Sequence, residues 1–393
     1  MGKIRNGLSY THIYRIHFVF CRLAVKYSVL MARELQWLDK FDKVMGSHTD
    51  VDRMVAIINS PAAVFNGLSV GVPAARLLID LGKFFKHTFI PTDAEKLLTM
   101  SERAYHEFIK RRCDIANDLV WTTVNGLSNY AYYFKLSGPV AAWLTAGFLI
   151  FDMSLLTYRL HLAEQEYELK RAQYEGERDL WMRKLGQASN LEETNRINRH
   201  IVMLNEQLKQ LELSRLTTRY TYLFNVAAAG ILMGGFSASL LLATPVAVAV
   251  CYLICTLAVA MYLSANVYGK YKEKSLVLAQ CEREEKFVML NGLQVTQRSP
   301  SMLLALREAK EARNDFILTM IKNTMMPMLV VATFAVCWQA ALVFTALYLS
   351  YEMFGGYFKK PDTRPLPLMI SQSEIDVLEG EQESLNTKGI TAN

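Results

Sequence analysis

Residues 220–269 read YTYLFNVAAAGILMGGFSASLLLATPVAVAVCYLICTLAVAMYLSANVYG, fifty positions without one charged side chain. A bilayer core takes about 20 apolar residues in a helix, so this run is long enough for two crossings. Ala243, Thr244 and Pro245 divide it, because proline removes a backbone donor and disfavours helix in the residue before it. The spacing therefore predicts one crossing over 222–242 and a return over 246–268. A soluble helix of this length would show a polar face every third or fourth position, and neither half has one. Tyr220, Tyr222 and Phe224 at one mouth, with Tyr262 and Tyr268 at the other, stand where an interfacial aromatic belt would.

The segments on either side of this hairpin are polar and helical. Residues 159–219 carry eleven Lys/Arg against ten Asp/Glu, a balance that fits solvated helix faces rather than an anionic or cationic partner. Leu160, Tyr167, Tyr174 and Trp181 recur every seventh residue, and Ile197, Ile201, Leu204, Leu208 and Leu211 follow at alternating spacings of four and three. This is the pattern of a coiled-coil seam, and the turn at 186–190 folds one arm back on the other. After the hairpin the plan repeats over 270–324, with a turn at 297–300 and a poorer seam. Further crossings are expected at 136–158 and 325–351, the latter with Thr333, Cys337, Ala341 and Thr345 along one face and Gln339 as its polar member. The order span, coil hairpin, span, span, coil hairpin, span puts both coil hairpins on one side of the membrane. The excess of Lys and Arg beside the span ends on that side makes it cytosolic.

The N-terminal region, 1–135, is less regular. Residues 10–43 read as one long helix on which Arg15, Arg22, Lys26, Arg33 and Lys40 fall along a single line, the rest being apolar and aromatic. Such a stripe suits the headgroup boundary, where basic stems snorkel to anionic lipid; it equally suits a helix buried in a bundle with its basic row facing water. A short helix is expected over 50–59, and 61–79 looks packed or re-entrant because Gly67, Gly71, Pro73 and Arg76 interrupt it. Thr92 and Glu95 have capping-box spacing for a helix running past Arg112. A fifth span, at 61–79 or 119–134, would place the basic N-terminal region on the cytosolic side. The N-terminal stretch lacks a small-residue cleavage site, which argues against a cleavable signal peptide.

The expected fold is thus all-α: an integral membrane helical bundle of four spans, with room for a fifth or sixth, two protruding antiparallel coiled-coil-like hairpins and a disordered acidic tail over 352–393. Composition agrees, being 52% hydrophobic and 20% charged with a mean hydropathy of +0.12. A net charge of +6 is too mild to imply nucleic acid. The six cysteines form no CxxC pair, so no disulfide framework, metal site or cofactor is expected. No phosphate loop, dinucleotide fingerprint, HExxH or GxSxG is present, which argues against an enzyme. Gly230, Gly234 and Ala238 form a surface of the GxxxG type, suited to helix packing within the bundle or between two copies. Asp152, the one charge in the first crossing, is read as reaching water beside Arg159; few polar groups otherwise stand at mid-bilayer, which argues against a transporter.

The tail carries Glu379, Glu381 and Glu383, followed by Ile390 four residues from the end. This ending, with the overall plan, resembles coiled-coil membrane effectors that intracellular bacteria export by type IVB secretion. The resemblance implies insertion into a host organelle membrane and a trafficking or tethering partner; otherwise the expected location is a bacterial inner membrane. A second resemblance, to the peroxin-11 membrane-elongation family, rests on Ala75 to Leu78, Gly82 to Phe84, Asp118 to Trp121, Trp143 and Asp152. The sequence reading is therefore a non-enzymatic protein that contacts membrane lipids and displays cytosolic hairpins to a protein partner. Membrane shaping through the N-terminal helix is its first rival and transport its second.

Overall fold

The computed structural model describes residues 2–46, 48–90, 96, 98–187, 190–290 and 300–336. Among these it is helical throughout: α1 (Gly2–Glu34), α2 (Trp37–Met45), α3 (Val51–Asn59), α4 (Ala62–Phe89), α5 (Met100–Asn129), α6 (Gly138–Leu185), α7 (Leu191–Leu241), α8 (Pro245–Leu290) and α9 (Pro300–Val336). Five stretches are long and apolar enough to cross a membrane: Val51–Phe89, Gly138–Leu185, Leu191–Leu241, Pro245–Lys286 and Pro300–Thr333. The chain is an all-helical protein with the make-up of a multi-pass membrane protein. Of the turn expected at 297–300 only Pro300 is among the described residues; the end of the last crossing and the tail also lie outside them.

Local chemistry sets the helix ends. Thr99 starts α5 with a reciprocal cap: Thr99 N–H donates to Glu102 Oε2 at 2.8 Å, and Glu102 N–H donates to Thr99 Oγ1 at 3.4 Å. The cap expected at Thr92 lies outside the described residues. Pro139 begins α6 where an N–H is not needed, and Asn190 accepts from Glu192 N–H to begin α7. The hairpin turn falls at Ala243 and Thr244, and Pro245 opens α8. Two expectations are corrected. The long N-terminal helix breaks at Gln36, whose backbone is left-handed (φ 55°), so α1 and α2 are separate. Residues 62–79 are not interrupted, because α4 continues through Pro73; the segment is packed, with Ser69, Val72, Pro73 and Arg76 buried.

Helices α6 to α9 are 48, 51, 46 and 37 residues long. At about 1.5 Å per residue α6 extends roughly 70 Å, more than twice a hydrocarbon core of about 30 Å. The apolar part of each helix therefore continues unbroken into a polar arm. Successive helices pack antiparallel in a row from α4 to α9, and α1 packs against α8, α4 and α9. Along that seam Ile16 and Phe20 cover a core of Leu149, Leu232, Cys255, Ala258 and Val259, while Ala24 and Tyr27 reach Val248 and Tyr252. Near the polar arms Phe224 stacks on Tyr268 at 4.1 Å, with Phe316 of α9 beside both, so Phe224 and Tyr268, expected at opposite mouths, meet at one, as the two ends of a hairpin must.

Helices α7 and α8 approach closely at Gly235. A Cβ there would lie 3.0 Å from Cys255 Sγ and 3.2 Å from the Cys251 carbonyl oxygen. The neighbouring Gly234 has nothing within 4 Å. Adjacent glycines should therefore respond with opposite sign in thermal unfolding of the detergent-solubilised chain. Gly235→Val should destabilise by about 1–3 kcal/mol through overpacking. Gly234→Ala should be neutral or stabilise by up to about 1 kcal/mol, through the removal of glycine's backbone entropy.

Candidate functional site

Helices α6 and α7 pack against one another along the first arm pair. Tyr167, Ile197 and Leu204 are buried, and Tyr174, Trp181, Ile201, Leu208 and Leu211 are half-buried. Trp181 stacks on His200 with ring centroids 4.6 Å apart. At the base of the pair, Arg215 Nε donates to Glu164 Oε2 at 2.7 Å while its guanidinium sits 4.4 Å over the Tyr167 ring. The Tyr167 hydroxyl donates to Glu212. The hydrogen bond to Glu164 holds the Arg215 guanidinium above its ordinary pKa. The second pair, from α8 and α9, is joined by Lys274 Nζ to Glu308 Oε2 at 2.8 Å, and Lys209 to Glu284 at 3.3 Å ties α7 to α8.

Outward faces of the first pair carry large apolar side chains. Leu169 is 74% exposed and Leu180 52% on α6; Leu191 is 75% and Val202 57% on α7. Each of these pairs is separated by about three helical turns and so shares one line. They lie beyond the apolar lengths of their helices, where water rather than lipid would face them.

The basic row of the N-terminal helix is split. Arg15 is 8% exposed, Arg22 and Lys26 are half-buried, and only Arg33 and Lys40 are exposed. A helix lying on a membrane surface would keep the whole row in water. Here α8 covers the apolar face of α1, and Lys40 belongs to the separate helix α2. Arg33 reaches Asp52 of α3 at 3.0 Å. The amphipathic face left open is that of α2, where Trp37 and Phe41 are each 55% exposed and Val44 83%. Of the expected small-residue surface, Gly234 is exposed, Gly230 is half-buried with Met153 Sδ 4.0 Å from a Cβ position, and Ala238 is half-buried. The close approach falls instead on Gly235. Glu379, Glu381, Glu383 and Ile390 lie outside the described residues.

The sequence reading missed a charged cluster where α1, α4, α5 and α6 meet. Arg5 Nε donates to both oxygens of Asp80, at 2.9 and 2.8 Å, and its Nη2 lies 2.5 Å from Asp114. Asp114 also accepts from Arg159 Nη2 at 2.7 Å. Arg76 pairs with Asp118 at 2.9 Å, and Arg111 pairs with Glu107 at 2.7 Å while approaching Asp80 at 3.6 Å. Asp80 and Asp118 are 1% and 0% exposed. Beside the cluster is a cavity of about 320 Å³, lined by residues of α1, α4, α5, α6, α7 and α8 that include Asp152. Charged groups do converge inside the bundle, contrary to the sequence reading. A signal was present: Arg76 and Asp80, Glu107 and Arg111, and Asp114 and Asp118 each stand four residues apart on one helix face.

Removing one partner of such a pair leaves a buried charge uncompensated, whereas replacing both with apolar groups does not. Asp118→Ala should therefore lower unfolding stability in detergent by about 3–5 kcal/mol, while Arg76→Met combined with Asp118→Leu should stay within about 1 kcal/mol of the parent. Equal losses in both would mean that packing, not charge, governs this junction.

The chain matches no protein-family model, no curated protein and no solved structure.

Proposed function

We propose that the protein is a non-enzymatic, multi-pass membrane scaffold whose polar arms dock an amphipathic helix of a partner protein. The observation that carries this reading is the exposed apolar line on the first arm pair: Leu169 and Leu180 on α6, Leu191 and Val202 on α7. In water such side chains favour a partner that covers them, and apolar residues recurring along a helix face fit an amphipathic helix laid alongside. The arms carry near-balanced charge, so contact depends on apolar anchors rather than on long-range attraction. Because each arm is the same helix as an apolar span, the docked partner is held at a fixed distance from the membrane. The finer reading, that the protein is an exported effector acting at a host membrane, rests on the resemblance of its tail.

A photo-crosslinking amino acid at Leu180 should capture a partner from the native membrane. That partner, purified, should rebind the reconstituted chain. Leu169→Glu with Leu180→Glu should weaken rebinding at least tenfold while thermal unfolding stays within a few degrees of the parent, since neither side chain lies in the seam. Crosslinking only to a second copy of this chain would show self-association instead. Unchanged rebinding by the double variant would rule out this face.

A further inference from the structure

We propose that the cavity beside the charged cluster is a binding site for a small primary ammonium compound with an apolar body. This site is independent of the docking face on the arms. Its volume of about 320 Å³ is within the range of small-molecule pockets.

The first argument is charge. The arginines that line the cavity are already neutralised: Arg5 by Asp80 and Asp114, Arg76 by Asp118, and Arg159 by Asp114. Asp152 also lines it, yet makes no hydrogen bond or ion pair with any described residue. In the whole cluster Arg5, Arg76, Lys110, Arg111 and Arg159 face Asp80, Glu107, Asp114, Asp118 and Asp152, equal in number; Lys110 pairs with Glu107 from an exposed position, and Asp152 is the carboxylate of this set without an ion pair among the described residues. Arg15 lies one turn along α1 from His12 but does not line the cavity. Arg5 Nη2 and Arg76 Nε also lack a hydrogen-bond partner, but an anion reaching them would stand beside Asp114 and Asp118, whereas a cation beside Asp152 meets an unpaired carboxylate.

The second argument is unfilled hydrogen-bonding capacity. His12 is 4% exposed, and neither ring nitrogen has a hydrogen-bond partner. The Tyr262 hydroxyl is likewise buried and unpartnered. Both line the same cavity as Asp152. A primary ammonium has three donors, and these groups offer three acceptors: a carboxylate, an imidazole nitrogen and a phenol oxygen. Apart from Ser9 and Asn117 the rest of the lining is apolar and includes Trp121, Leu149, Leu232 and Val259, which would cover the body of such a ligand.

The test uses the full chain in phosphatidylcholine nanodiscs and three probes with the same ring: phenethylammonium, phenethyl alcohol and phenylpropionate. Calorimetry should show binding of the ammonium and at least tenfold weaker binding of the other two. Asp152→Asn, which keeps shape and removes charge, should weaken phenethylammonium binding at least tenfold, and Asp152→Glu should retain most of it. Tyr262→Phe, which loses one acceptor, should weaken it severalfold; it stands as the second variant should Asp152→Asn unfold. No binding of phenethylammonium, equal binding of the alcohol, preference for the carboxylate, or full affinity in a folded Asp152→Asn chain would each overturn the proposal.

Discussion

A charge buried among apolar helices must be neutralised where it stands, and the packing of this protein turns on that constraint. Arg5 meets its carboxylates on two other helices, at Asp80 of α4 and Asp114 of α5. Asp114 in turn holds Arg159 at the point where the apolar part of α6 gives way to its arm. Moving α1 away from this junction would strand a carboxylate on α4 and expose an arginine to lipid or an apolar core. Coulomb attraction at low dielectric is strong, but so is the cost of desolvation, and the pairing of Arg5, Arg76, Arg111 and Arg159 with carboxylates makes the arrangement tolerable. The cluster therefore fixes which helices may lie together more than it adds to net stability.

The same junction is also where the long helices change character. Helix α6 contributes Asp152 and Arg159 to the cavity and its border, and eight residues beyond Arg159 places Tyr167 in the arm seam. Helix α8 contributes Tyr262 to the cavity and, farther along, Lys274 to the second arm pair. No linker separates the two zones, so an occupant of the cavity and a partner on the arms would contact the same rigid helices. Two discrete arrangements of those helices would be needed to couple the sites, and one arrangement is described.

The central hairpin was plain in the sequence because fifty uncharged residues leave no face for water. The heptad spacing of Tyr167, Tyr174 and Trp181 was equally plain, and Tyr167 is buried while the other two are half-buried. The N-terminal helices were not, for a physical reason. Hydropathy charges every ionised residue as if it stood alone, whereas Arg5 and Asp80 are 75 residues apart in sequence and 2.8 Å apart in space. Read singly, Asp118 marks the end of a water-exposed helix; read with Arg76, it is a buried pair inside one. The row of Arg15, Arg22 and Lys26 misled similarly, since its regular spacing fits a membrane surface and a packed helix equally well. Only the burial of Cys21 and Ala24, each 0% exposed, decides between them.

The central claim is that α1 runs the full depth of the bundle, from the charged junction beside the arms to the end of the hairpin at Thr244. Single cysteines placed at Ile4 and at Leu35, the residue after α1, which are 62% and 39% exposed, report it directly in a chain freed of its native cysteines. An impermeant thiol reagent should label position 4 from the same side as a cysteine at Gly186, and position 35 only from the opposite side. Labelling of positions 4 and 35 from one side would place α1 along the membrane surface and contradict the account.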